Sequence, residues 1–189
     1  ELVKREIANC FSGGCDPTKI VGDFDLSSEA VGELGRVLYQ AAALIMEERH
    51  ARSALYRLSA SQKEFLRPHF GDVVDRVAVV YNARLMDYLG SFMGQSLTAE
   101  SQAQTYGHRI YVGRSYDAHN MDQTVLLGHE LVHVLQYEQY GKSLSNFGYH
   151  YFRSWARNGF GYSRIAQEEE AFAHQEDVSG LYVENSTGI

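Results

Sequence analysis

Residues 126–139 read LLGHELVHVLQYEQ, and this stretch decides more about the 189-residue chain than any other. Within it His129, Glu130 and His133 form an HExxH motif. Histidines four positions apart stand one turn apart on a helix, so both imidazoles leave the same face and can grip one ion. The flanking residues Leu126, Leu127, Leu131, Val132, Val134 and Leu135 are apolar, which predicts a buried helix. Three ionisable side chains on a buried helix are costly unless something coordinates or neutralises them. The segment therefore predicts a metal site for one zinc ion. Glu130 follows the first histidine, where its carboxylate reaches a metal-bound water rather than the metal, the arrangement of a zinc hydrolase with glutamate as general base.

A zinc ion with an open position needs a third protein ligand. The continuation HExxHxxGxxH is excluded, because Gln136 stands where its glycine would be and Gln139 where its histidine would be. That rules out a metzincin. Glu168, Glu169 and Glu170 open the segment EEEAFAHQ, which reads as helix, and His174 and His150 are further candidates. Acidic residues also gather at helix N-termini for dipole reasons alone, so spacing leaves the choice open.

Working outward, residues 27–57 predict a long helix with Ser27 or Ser28 as N-cap and an apolar stripe through Val31, Leu34, Leu38, Ala41 and Ile45. Ser61 and Glu64 have capping-box spacing for a short helix that Pro68 interrupts. Residues 76–81 (RVAVVY) read as a buried strand, 82–89 as a short helix, and 104–113 as a strand or hairpin. Asn120 or Asp122 caps the HExxH helix and Gly141 ends it; residues 146–157 and 167–178 supply two more helices. The fold class expected is α+β, helix-rich, with a small mixed sheet. In zinc peptidases the strand before the active-site helix lies at a sheet edge and pairs with extended substrate. Residues 104–113 are the candidate, and an ordinary core strand fits them equally well.

A net charge of −7 with no basic stripe argues against nucleic acid or an anionic membrane as partner. No apolar run is long enough to span a bilayer. Cys10 and Cys15 bracket CFSGGC, whose two glycines allow a tight turn, so a disulfide and an exported protein are expected. The chain begins at Glu1, which suggests a removed leader.

TYGHRIYVG, HELVHVLQY and EEEAFAHQ, preceded by LRPHFGDVVDRVAVVY, occur in an order that resembles a bacterial family of uncharacterised metallopeptidase-like proteins related to the gluzincins. The resemblance covers residues 59–177. It implies a zincin-like metallopeptidase domain over 59–189. Residues 1–58 fall outside it and read as an N-terminal extension whose long helix, by its apolar stripe from Val31 to Ile45, packs on the core. In gluzincins the first glutamate of an ExxA helix binds the metal, which carries over to Glu168, with Glu169 and Glu170 as second choices. The implied activity is cleavage of a peptide or protein substrate by a metalloendopeptidase. Tyr162, His150 and Tyr151 are candidate transition-state stabilisers, with Tyr149 beside them. The alternative is a zinc-stabilised scaffold or binding domain without turnover.

Overall fold

Ser27 opens the first described helix by accepting a hydrogen bond from the Ala30 amide, 3.3 Å away. The computed structural model describes residues 27–86, 102–117, 119–160 and 164–187, with side chains as far as residue 180. Cys10, Cys15 and Tyr162 lie outside these residues. Helix α1 runs Ser28–Arg49, with Glu29 in its first turn and Arg49 in its last, each favourable to the helix dipole. It stops short of the expected residue 57. His50 takes over there: its Nδ1 donates to the Met46 carbonyl at 3.0 Å, and its Nε2 accepts from the Arg84 amide at 3.1 Å. The chain then leaves the helix, and Tyr56 makes an antiparallel bridge with Val79.

Helix α2 (Ala60–Phe70) carries a capping box, but Ser59 and Gln62 form it, not Ser61 and Glu64. Pro68 does not interrupt it; the helix runs two residues further and closes at Gly71, whose φ of +57° suits glycine. A single turn, α3 (Val73–Arg76), leads into strand β1 (Ala78–Val80). The expected strand at 76–81 is thus shortened, because Arg76 closes α3. No helix forms over residues 82–86, where Asn82 has a left-handed φ of 53°; residues 87–89 lie outside the described set.

Residues 104–113 resolve into a hairpin of β2 (Ala103–Tyr106) and β3 (Arg109–Val112). Gly107 takes a φ of +64° at the first loop position, as a tight two-residue hairpin turn requires. The sheet order is β1-β3-β2, with β1 parallel and β2 antiparallel to β3. Among the described residues β3 is central and β2 lies at an edge. Alternation splits the strands between two cores. Val79, Ile110, Val112 and Ala103 pack with α2, α3 and the HExxH helix, while Val80, Tyr111 and Tyr106 pack with α1 and the next helix.

Helix α4 (Met121–Gln139) contains the HExxH motif and is capped by Asn120, which accepts from the Gln123 amide at 3.0 Å. Gly141, with φ +76°, turns the chain out, and the Lys142 amide returns to the Tyr137 carbonyl at 3.0 Å. Helix α5 (Leu144–Arg157) lies along α1, and α6 (Ala166–Thr187) packs on α4 through Ala171 and Val178. The helix-rich α+β architecture is the expected one. None of the helices, among the described residues, is long and apolar enough to cross a membrane.

The α1–α5 crossing is close because glycines face each other. A β-carbon at Gly35 would lie 2.5 Å from the Gly148 carbonyl oxygen, and one at Gly148 would collide with the Gly35 carbonyl. Gly148→Ala is expected to lose about 1–3 kcal/mol to overpacking, exceeding its gain in helix propensity and lowering the thermal midpoint by several degrees. Gly180→Ala, with nothing within 4 Å, should melt at or slightly above the parent temperature. Equal midpoints for all three proteins would contradict the α1–α5 packing.

Candidate metal centre

His129 and His133 project from one face of α4 toward Glu168 in the first turn of α6. All three are buried, and their ligand atoms lie within 4.8 Å of one another, a group that could hold a metal ion. His129 Nε2 is 3.4 Å from Glu168 Oε2, and His133 Nε2 is 3.5 Å from Glu168 Oε1. These distances are long for N–H···O hydrogen bonds, which cluster near roughly 2.9–3.0 Å. They match the roughly 3.3–3.4 Å separating two ligands of a tetrahedral ion with bonds of about 2.0–2.1 Å. Glu168 Oε2 and His129 Nδ1 have no hydrogen-bond partner among the described residues. Two buried carboxylates, Glu130 and Glu168, sit close to the imidazoles, so a bound cation would neutralise this cluster. The residues fit a metal.

Neighbouring side chains hold the three in place. His133 Nδ1 donates to Gln136 Oε1 at 2.9 Å, so in neutral His133 Nε2 is the lone-pair nitrogen free to face an ion. Gln136 Nε2 in turn donates to the Gln167 carbonyl at 3.0 Å and to Glu170 Oε2 at 2.8 Å, tying α4 to α6. The Tyr151 hydroxyl donates to Glu168 Oε1 at 2.7 Å. Burial alone would lower the His133 pKa, but Glu168 beside it lifts it to about 9. Burial would likewise raise Glu168, yet His133 and His129 hold it well below the usual carboxylate range.

Glu130 is buried on α4 outside the ligand group. Its Oε2 accepts from the Thr105 hydroxyl at 2.6 Å, and the Thr105 carbonyl accepts from the Tyr39 hydroxyl at 2.6 Å. Burial, with Tyr106, Glu130 and Glu168 nearby, raises the Tyr39 pKa, so it remains a phenol. The sequence did not point to Thr105 or Tyr39. The available signals were a hydroxyl on the α4-facing side of a strand and one phenol within the apolar stripe of α1.

The other candidates separate. Glu169 is exposed, and Glu170 is occupied with Gln136. His174 faces Phe70 at 6.2 Å, and His150 stacks on Tyr140 at 4.3 Å; neither joins the group. Burial, aided by Arg153 and Arg36, lowers the His150 pKa. Tyr149 lies under the Arg36 guanidinium at 4.3 Å. Of the described stabiliser candidates, Tyr151 bonds to a member of the group.

Residues 57–141 match the family model of the eCIS core domain. The match includes α2 to α4 with His129, Glu130 and His133, and ends before Glu168. It starts after α1, which supplies Tyr39. No curated protein and no solved structure matches the chain.

In the metal-free fold His133 keeps its proton to about pH 9, against 6.5 for an unperturbed imidazole. The folded state then binds more protons than the unfolded state across that window, so metal-free stability falls as pH rises through it. A histidine binds a metal only as the neutral imidazole, so metal binding expels the proton. Affinity should rise about tenfold per pH unit from about pH 7 to 9 and then level. Competitive chelator titration reads this directly, and a flat profile would contradict the His133–Glu168 coupling.

Proposed function

We propose that this chain is a zinc-dependent peptidase acting on a peptide or protein substrate. The observation carrying the reading is a buried His–His–Glu group spaced for one ion, with a second buried carboxylate, Glu130, beside it and outside it. A purely structural zinc site usually fills its fourth position with protein and has no use for an adjacent base. His129, His133 and Glu168 would hold the ion through Nε2, Nε2 and a carboxylate oxygen. Bound zinc supplies Lewis acidity, which polarises a carbonyl and acidifies water near neutral pH. Glu130, with Oε2 held by Thr105, takes the proton of the attacking water at its other oxygen and passes it to the leaving amine. Tyr151 keeps the Glu168 carboxylate oriented through its hydroxyl.

The matched family is named for extracellular contractile injection systems and is associated with metallopeptidase-like proteins, which supports a protein substrate. The net charge of −7 supports the same preference over nucleic acid.

One observation favours the scaffold reading. The Gly113 amide donates to the Gln102 carbonyl, which sets the hairpin register so that the Thr105 backbone faces away from β3, onto the side of β2 that pairs with no strand among the described residues. Tyr39 occupies that Thr105 carbonyl, so an extended peptide pairing along β2 would meet a phenol there. Substrate bound in the peptidase reading pairs elsewhere on β2 or displaces Tyr39.

Glu130→Gln is expected to retain one equivalent of zinc while peptide hydrolysis falls about 10²- to 10⁴-fold. Elemental analysis beside cleavage of a quenched fluorescent peptide library checks both. Loss of zinc would make Glu130 a ligand, and undiminished cleavage would trace the activity to a contaminant.

A further inference from the structure

Thr105 stands on the α4-facing side of β2, in register with Ile110 of β3, and its hydroxyl meets Glu130 at 2.6 Å in the buried interior. That is a short hydroxyl–carboxylate hydrogen bond, of the charge-assisted kind. Nothing about the hydroxyl is loose. A β-branched side chain on a strand has restricted χ1 freedom. The Thr105 carbonyl is fixed by Tyr39, whose own ring is wedged between Tyr106 at 5.1 Å and Phe147 at 4.7 Å. By contrast, a glutamate side chain has three rotatable torsions, and its carboxylate is attracted to a nearby dication unless another donor holds it in place.

We propose that Thr105 is the positioning residue for Glu130, with its hydroxyl pinning Oε2 so that the carboxylate stays beside the metal as an acceptor and does not become a fourth ligand. This rests on the reading of Glu130 as the base. The prop reaches back through Tyr39 to α1, so the helix outside the matched family segment sets the geometry of the HExxH glutamate. Tyr39 and Thr105 act only through Glu130.

The test uses the full chain loaded with Co²⁺ and titrated with acetohydroxamate, followed by visible absorption. A hydroxamate on the ion presents an acidic proton to the acceptor beside it, so its affinity reports where the Glu130 carboxylate stands without requiring turnover. Wild type, Thr105→Val, Thr105→Ser and Glu130→Gln are compared, with kcat and KM measured on one peptide substrate. Val is close to isosteric with Thr but lacks the hydroxyl. Thr105→Val should keep one equivalent of metal, weaken acetohydroxamate at least tenfold toward the Glu130→Gln value, and lower kcat about 10- to 100-fold with KM within twofold. Thr105→Ser should restore both to within threefold. Unchanged acetohydroxamate affinity in Thr105→Val overturns the proposal. So does a Thr105→Ser variant as impaired as Thr105→Val, or loss of the metal from Thr105→Val, since either makes Thr105 a packing element. If wild type cleaves no peptide while the acetohydroxamate order holds, the peptidase reading fails and the positioning role stands.

Discussion

A carboxylate held between two buried imidazoles is the constraint on which the rest of this structure turns. Glu168 lies 3.4 and 3.5 Å from the His129 and His133 Nε2 atoms, and all three side chains are buried. Without a cation, such a cluster survives by trapping a proton on His133 and depressing Glu168. With a divalent cation, the same atoms become ligands and the proton leaves. Helices α4 and α6 are thereby joined by an electrostatic demand, in addition to the apolar contacts of Ala171 and Val178.

Two polar chains brace that cluster and the glutamate beside it. Gln136 holds the His133 ring through Nδ1 and fastens α4 to the start of α6. Tyr39 and Thr105 carry a second chain from α1 through β2 to Glu130. Both run through groups with limited freedom, a glutamine bonded at both ends of its amide and a threonine on a strand. The division of labour follows: the three groups that could hold an ion come from α4 and α6, while the neighbouring carboxylate meets the sheet edge and, through it, α1. The long N-terminal helix is therefore more than a packing element, although the family match begins after it.

Much of the site was legible because its chemistry has a fixed helical spacing. His129, Glu130 and His133 follow from periodicity on an apolar helix, and the structure brings them together with Glu168, which only the family resemblance singled out from its neighbours. A helix carries successive residues about 100° apart, so Glu169 turns to solvent and Glu170 reaches Gln136 instead. Thr105 and Tyr39 stayed hidden because their role depends on a contact between residues 66 positions apart, to which no local pattern points. The fold failed locally where tertiary partners overruled propensity. His50 ended α1 early by bonding Met46 and Arg84, Asn82 adopted a left-handed turn in place of a helix, and α2 absorbed Pro68 near its end.

Glu130 and Glu168 are both buried acids near the same histidines, with opposite proposed roles. Anomalous diffraction from crystals of the zinc-loaded protein, collected on either side of the zinc absorption edge, separates these roles most directly. One peak is expected, bonded to His129, His133 and Glu168 at about 2.0–2.2 Å, with Glu130 outside the ligand sphere and still bonded to Thr105. A peak ligated by Glu130, by Glu170 or by His174 in place of Glu168, or no peak at this cluster, would contradict it.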